Sequence, residues 1–196
     1  MSSICLSGGA DGSDLAWGRI ALENGHGLIH YSFPGHMSRA RMSDTVMLSH
    51  EDLVIADPYL KRANETLKRS TGIGYVRKLL QRNWHQVKDA ASVYAVAVLD
   101  EDRGGVKGGT AWAVQMFIDR HPPGKLPVYV LDPSAREWHE WALGWRRIDR
   151  PPIPVGNWAG IGTRNLDPES RAMMEAVFTN ATTDLHHPDV GLRSYY

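Results

Sequence analysis

The sequence predicts a three-layer α/β domain with a mostly parallel central sheet and a small antiparallel hairpin. Short apolar strands alternate with amphipathic helical segments along most of the chain, which is typical of this architecture. Residues 92–99 form the strongest predicted strand, and because they are apolar on both faces we expect this strand to be central and parallel. Three predicted strands end in glycine turns, and folds of this class bind ligands beyond the carboxyl ends of their strands.

The composition is that of an ordinary globular chain of 196 residues, with 42% hydrophobic and 22% charged side chains. One domain is the default at this length, and we assign it to residues 1–182, with a polar tail at 183–196. The formal net charge of zero predicts no general nucleic-acid binding. A lone cysteine, Cys5, excludes an internal disulfide. Because neither a signal peptide nor a membrane-spanning apolar run is found, we expect a cytoplasmic protein.

The first predicted strand, Ile4 to Leu6, continues through the turn Ser7-Gly8-Gly9 into a helix. The apolar face of this helix consists of Ala16, Trp17, Ile20 and Ala21. Unpaired N–H groups and the helix dipole at such a turn suit an anion, above all a phosphate. A plain tight turn with Asp11 as the helix cap is an equally good interpretation of this turn taken alone.

The next predicted elements are a strand at residues 27–33 and, after a polar loop, a helical region at 50–69. We expect a break in that region near Asp57, because Pro58 is tolerated only where a helix begins. A further helix is predicted from residue 75 to about residue 89, where apolar side chains recur with helical spacing.

After the central strand, Gly108-Gly109-Thr110 opens another helix, and residues 127–131 form the next strand. Period-two alternation at 133–150 predicts an antiparallel hairpin that covers one edge of the sheet. A tryptophan-rich binding ledge is the alternative interpretation of that alternation. A last strand ends in Gly160-Ile161-Gly162-Thr163-Arg164, and Asp167 begins a final helix.

The segments Ser7-Gly8-Gly9-Ala10-Asp11-Gly12-Ser13-Asp14 and Gly108-Gly109-Thr110 resemble those of the SLOG superfamily of Rossmann-like nucleotide-binding domains. In YpsA-like members of this superfamily, a Gly-Ile-Gly-Ser-Arg strand end comes first and the Ser-Gly-Gly-Ala turn second. Here the corresponding residues 160–164 come last, so the chain resembles a circularly permuted YpsA-like protein of the phage and bacterial type. The resemblance covers most of the chain. It implies that residues 155–180 form a strand that completes the sheet, followed by a helix.

The resemblance also implies that the domain binds a nucleotide or a nucleotide derivative, as a sensor or a nucleotide-processing protein. No cofactor is required beyond this ligand, and we expect a homo-oligomer. The implied ligand-binding residues, which include the phosphate-binding turns, are Ser7, Gly8, Gly9, Ala10, Gly108, Gly109, Thr110, Gly160, Gly162, Thr163 and Arg164.

An N-glycoside hydrolase acting on a nucleoside monophosphate or an NAD-like substrate is the first alternative. The Lonely guy phosphoribohydrolases of this superfamily use the glutamate of a Pro-Gly-Gly-x-Gly-Thr-x-x-Glu motif, and the aligned position here is Ala113. Hydrolysis would therefore need another carboxylate, and Asp11, Asp14 and Asp100 are the candidate catalytic residues because they lie at predicted strand ends. Asp14 is equally well interpreted as an acceptor for a ribose hydroxyl or as a partner of the helix dipole. A protein-interaction module with a vestigial pocket is the second alternative.

The remaining clusters predict no specific chemistry. His186-His187 with Asp189 has the residue types of a metal site, but these residues lie in the predicted tail, and we expect no metal site. His30 is interpreted as a packed side chain, and the role of His36 is left open. Ser7 has no evident His/Asp partner, so a nucleophilic triad is not expected.

Overall fold

A computed structural model describes residues 3–179, which form an eight-stranded, mostly parallel sheet with helices on both faces and a separate two-stranded antiparallel ribbon. The strands are β1 Ile4–Ser7, β2 Gly27–Ser32, β3 Thr45–Met47, β4 Ser92–Val96, β5 Leu99–Asp100, β6 Gly105–Val106, β7 Lys125–Asp132, β8 Glu137–Ala142, β9 Trp145–Ile148 and β10 Asn157–Gly162. The helices are α1 Ser13–Glu23, α2 His50–Ile55, α3 Asp57–Leu67, α4 Tyr75–Val87, α5 Thr110–Asp119 and α6 Pro168–Glu175.

The strand that comes last in the chain lies in the middle of the sheet. The order is β3-β2-β1-β10-β4-β7-β8-β9, and β10 pairs in parallel with β1 and with β4. If β10 stood first in the chain, the run β2-β1-β10-β4-β7 would have the order 3-2-1-4-5 of a Rossmann sheet. The predicted three-layer Rossmann-like fold is confirmed, and the strand predicted near residue 160 belongs to the central sheet.

One face of the sheet is covered by α1 with α6 beside it. Trp17 of α1 is fully buried and meets the rings of Tyr94 and Trp158 edge-on, at centroid distances of 6.0 and 5.6 Å. The absence of a side chain at Gly160 permits this packing, because a Cβ there would overlap Trp17. All four residues predicted for the inner face of α1 are buried, and Met174 of α6 joins the same cluster.

The opposite face is covered by α3, α4 and α5. The second half of helix α4 lies between the sheet and the helices α2, α3 and α5, so every side chain from Leu80 to Val87 is buried. A helix that is buried on all sides must find partners for its polar groups inside the protein. This requirement determines the chemistry of the site described below.

Two local predictions are confirmed in detail. The helical region at 50–69 breaks at Ala56, and Pro58 lies in the first turn of α3, where its missing N–H costs nothing. The hairpin β8–β9 turns at Gly144 and pairs with β7, so it covers that edge of the sheet as expected. These outcomes follow from proline chemistry and from period-two alternation, which are both strong local signals.

Three short strands were not predicted. β3 contains three residues, and β5 and β6 contain two residues each, so none of them is long enough to show periodicity. The predicted strand at 92–99 accordingly ends earlier, at Val96; Ala97 and Val98 lie outside any strand, and Leu99 belongs to β5. The consequence for the site is that Asp100 leaves the sheet edge.

Within residues 3–179, no helix combines the length and the apolar character needed to cross a bilayer. The same residues contain no group of three or more His, Cys, Asp or Glu side chains that could hold a metal ion. The predicted polar tail, including His186, His187 and Asp189, lies outside the described residues.

Candidate functional site

A cavity of about 630 Å³ opens at the carboxyl ends of β1, β10 and β4, which are neighbours in the sheet. The chain leaves β1 toward β2 on one side of this point and leaves β4 toward β7 on the other side. Open α/β sheets bind ligands where the strand order reverses in this way. The volume also lies within the range of small-molecule sites, roughly 300–1,000 Å³.

The structure brings two of the three predicted glycine turns to this cavity, and of the first turn only the residue that follows it, Ala10. The sequence-predicted residues that line it are Ala10, Asp14, Gly108, Gly109, Thr110, Gly162, Thr163 and Arg164. The sequence-predicted residues that do not line it are Ser7, Gly8, Gly9, Asp11, Asp100 and Gly160. The three turns therefore differ in accessibility, although the sequence gives them similar patterns.

The first glycine turn is covered by the protein's own side chains. The Arg82 guanidinium lies directly against Gly8, where a Cβ would overlap it. Ser38 donates a hydrogen bond of 2.6 Å to the Gly9 carbonyl oxygen and covers the other glycine. The Ser7 hydroxyl donates to the backbone oxygen of Asp14 at 3.0 Å. The side chains of Arg82 and Ser38 therefore lie against the turn Ser7-Gly8-Gly9, where we predicted a phosphate.

A buried ion pair forms the wall of the cavity beside this turn. Arg82 Nη1 donates to Asp14 Oδ2 at 3.3 Å, and the Gly162 N–H donates to Asp14 Oδ1 at 3.1 Å. The two side chains belong to residues that are only 5% and 4% exposed. Burial raises the pKa of Asp14, although Arg82 and the Gly162 N–H act in the opposite direction, and burial lowers the pKa of Arg82. Each charge therefore depends on the other, and both carboxylate oxygens are engaged.

The other two candidate carboxylates point elsewhere. Asp11 is exposed and lies 3.6 Å from Arg39, while Asp100 lies 2.9 Å from Arg69. Neither contributes to the cavity. Ala113, at the position aligned with the Lonely guy glutamate, does line it. Asp14 is therefore the one carboxylate that lines the cavity in the described part of the chain.

Cations outnumber carboxylates in the cavity wall. Arg82, Lys107 and Arg164 line the cavity, and Lys107 and Arg164 are exposed residues. The backbone at the start of α5 is equally accessible: no described side chain caps this helix, and a Cβ at Gly108 would meet nothing within 4 Å. Gly108 also has a φ of +73°, which a glycine adopts without strain. Two exposed cations beside a helix N-terminus favour an anionic ligand group.

The sequence reasoning gave no site role to three polar lining residues of α4, Arg82, Asn83 and Gln86, nor to the cation Lys107. Helix α4 was predicted from its apolar stripe alone, as if its polar residues faced solvent. The pairs Arg82-Asn83 and His85-Gln86 lie between the apolar residues Leu80, Trp84 and Val87, as polar residues do in any amphipathic helix, so the sequence offered no separate signal. Only the packing of α4 on all sides turns this pattern into a buried polar surface.

Comparisons with protein-family models, with curated proteins and with solved structures find no match to this chain. The SLOG resemblance therefore continues to rest on the motifs quoted above, and the function is inferred from the geometry of the cavity.

Two histidines lie beside the covered turn. His30 is packed against Gly9 and Gly18, as the sequence suggested, and Ser32 Oγ lies 3.0 Å from His36 Nδ1. Burial lowers the pKa of His30 to about 4, with the nearby Arg82 charge acting in the same direction. Burial and the charges of Arg82 and Arg164 likewise lower the pKa of His36 to about 4. Both imidazoles are therefore neutral at neutral pH.

The free energy of unfolding is expected to fall as the pH decreases from 6.5 toward 4. The unfolded chain binds protons at its histidines below pH 6.5, whereas His30 and His36 stay neutral in the fold until about pH 4. The unfolded state thus gains protons that the folded state does not, which lowers stability. Allowing for the partial exposure of His36, we expect a loss of about 1–2 kcal/mol between pH 6.5 and 5.

Urea unfolding at several pH values measures this loss. The variant His30→Gln should show a weaker pH dependence than the unmodified protein. His50→Gln, which changes an exposed histidine at the start of α2, is the matched control. An equal pH dependence in all three proteins would contradict the role given to the buried histidines.

Proposed function

We propose that the protein binds a nucleotide or a nucleotide derivative and that a phosphate of this ligand lies at the start of α5. One observation carries this proposal: the uncapped N-terminus of α5, Lys107 and Arg164 all face the same cavity at the carboxyl ends of the central strands. Backbone N–H groups and the helix dipole favour a phosphate at such a position. A guanidinium adds two parallel donors that match its oxygens.

The rest of the cavity suits the remainder of a nucleotide. Leu79, Leu80 and Ile161 supply apolar surface in the same cavity. Sites for small organic ligands are mostly apolar, with a few polar groups that fix orientation. A cavity that held inorganic phosphate alone would not need this surface. A cavity with both cationic and apolar lining agrees with the nucleotide-type ligand that the SLOG resemblance implies.

We propose binding or sensing rather than hydrolysis. A general base needs a carboxylate oxygen that can reach the substrate, and the two oxygens of Asp14 are engaged by Arg82 and Gly162. Asp11 and Asp100 lie outside the cavity, so nothing specific favours the N-glycosidase alternative. The exposed cations of the cavity likewise weigh against a vestigial pocket. A cytoplasmic location and a homo-oligomeric assembly complete the proposal and rest on the sequence alone.

Replacement of Arg164 by alanine is expected to weaken nucleotide binding by about 1.5–3 kcal/mol, the contribution of a hydrogen bond to a charged group. Arg164 is exposed at the cavity mouth, so its removal should leave the fold intact. Calorimetric titration with a panel of ribonucleoside mono- and diphosphates and NAD measures the change.

Arg19→Ala is the matched control, because Arg19 is an exposed arginine on α1 outside the cavity. Equal affinities of the Arg164 variant and the control would refute the role of Arg164. A panel in which no compound binds the unmodified protein would refute the proposed function itself. Release of free base in the same samples, detected by chromatography, would support the N-glycosidase alternative instead.

A further inference from the structure

Helix α4 carries a run of buried polar side chains, and almost all of them have a partner in a neighbouring element. The four contacts are Gln81 Nε2 to Asp57 Oδ1 at 2.7 Å, Arg82 Nη1 to Asp14 Oδ2 at 3.3 Å, Asn83 Nδ2 to the Gly109 carbonyl at 3.2 Å and His85 Nε2 to the Asp52 carbonyl at 2.9 Å. Gln86 is the exception: it is 1% exposed, and its Nε2 has no hydrogen-bond partner among the described residues.

An unpaired amide inside a protein destabilises the fold, because it has lost its hydrogen bonds to water without replacing them. The other polar residues of α4 show that the helix can satisfy buried groups through adjacent loops and helices. Gln86 differs from Gln81 and His85 in that it lines the cavity. The missing hydrogen-bond partner of the Gln86 amide is therefore expected to be a ligand group in the cavity.

The position of Gln86 relative to the anion site is fixed by Asn83. Asn83 donates to the Gly109 carbonyl at the start of α5, where the proposed phosphate lies. Gln86 follows three residues later on the same face of α4, about 4.5 Å further along the helix axis. Since α4 leads directly into β4, this displacement is away from the carboxyl ends of the strands. The apolar side chains of Leu80 and Ala113 line the same cavity as Gln86.

We infer that Gln86 is a specificity-determining residue whose amide hydrogen-bonds the edge of a buried nucleobase; the inference rests on the proposed function. A primary amide presents a donor and an acceptor side by side. Nucleobase edges present the complementary pair, which is why glutamine and asparagine make bidentate contacts to bases. Rotation of the amide exchanges its donor and acceptor, so it can match the edge of more than one nucleobase. The contact therefore favours a nucleotide over a sugar phosphate and does not determine which base is bound. The ligand class is therefore a nucleotide with its base inside the cavity.

The variant Gln86→Met tests this inference, because methionine has a similar length and shape and no amide. The probes are the ribonucleoside monophosphates and ribose 5-phosphate, titrated by calorimetry. We expect the tightest-binding nucleoside monophosphate to lose roughly tenfold in affinity, the scale of one or two neutral hydrogen bonds. The affinity for ribose 5-phosphate should stay the same. The melting temperature of the unliganded variant should rise, since an unpaired buried amide has been removed.

Gln115→Met is the matched control, because the Gln115 amide is bonded to Asp119 at 2.7 Å and lies outside the cavity. It should change neither affinity. Equal nucleotide affinities of the Gln86 variant and the unmodified protein would overturn the inference and show that the amide meets only water. Equal affinities of the unmodified protein for ribose 5-phosphate and for every nucleotide would also overturn it, while leaving the phosphate site in place. If no phosphate compound bound at all, the proposed function would fail together with the inference.

Discussion

A chain that ends at Pro152 is expected to aggregate or to remain unfolded, because it lacks the strand at the centre of the sheet. β10 pairs with β1 on one side and β4 on the other, so its loss leaves two mostly apolar strand edges without hydrogen-bonding partners. The same truncation removes Arg164 from the cavity.

Side-chain burial gives the size of the effect. Trp158, Met174 and Val177 are fully buried, and Ile161 is nearly so. Each such side chain contributes about 1.5–3 kcal/mol when buried, and net domain stability is only about 5–15 kcal/mol. Met173 and Phe178 are partly buried and pack against the same cluster as Trp158, Met174 and Val177.

A thermal melt with size-exclusion chromatography of residues 1–152 tests this expectation. A chain that ends at residue 179 is the matched control, since it keeps β10 and α6 and should melt cooperatively. Under the competing view, Pro151, Pro152 and Pro154 form a linker, and the rest of the chain is an appendage that the domain does not need in order to fold. A soluble, cooperatively melting fragment 1–152 that still binds its ligand would establish that view. The structure already ties the linker to the sheet, because the Tyr94 hydroxyl donates to the Pro152 carbonyl at 2.8 Å.

Replacement of Arg82 by methionine is expected to cost about 3–5 kcal/mol of stability, because it leaves Asp14 charged and without its partner in the interior. The Gly162 N–H alone cannot replace the lost guanidinium. The double variant Arg82→Met, Asp14→Asn should recover much of this loss, since it removes both charges and keeps an acceptor for Gly162.

Urea unfolding at neutral pH measures these changes. The ion pair between Arg77 and Asp57 is a suitable control, because its N–O distance is 2.9 Å but its side chains are 43% and 32% exposed. Arg77→Met should therefore cost no more than about 1 kcal/mol. If Arg82→Met were as mild as Arg77→Met, the buried pair would have no special role in the fold.

Local signals predicted the order of most helices and strands and the convergence of the glycine turns. These local signals could not distinguish a glycine needed for a positive φ from a glycine needed for close packing. At position 108 the positive φ favours glycine. At position 160, inside β10, glycine makes room for Trp17, and this contact cannot be predicted locally because the two residues are far apart in the sequence. The same limit applies to Gly8, which accommodates Arg82 from a helix far along the chain.

The carboxylates show a second limit of sequence reasoning. Asp14, one helical turn past the glycines, is held at the cavity by Arg82 and Gly162. Asp100 was placed at a strand end, but β4 ends earlier and the two-residue β5 carries Asp100 to Arg69. The polar residues of α4 became part of the site only through packing on all sides, which no periodicity within one helix can reveal.

The central place of β10 also determines when the protein can fold during its synthesis. Ser13 and Thr163, which hydrogen-bond beside the cavity, are 150 residues apart in the chain. At a translation rate of about 5–20 residues per second, β1 and β4 wait for several seconds before the strand that joins them leaves the ribosome. Contacts over such long separations slow folding, because the entropy of closing the loop must be overcome first. The cavity between β1, β10 and β4 is consequently assembled only after translation of the sheet's last strand.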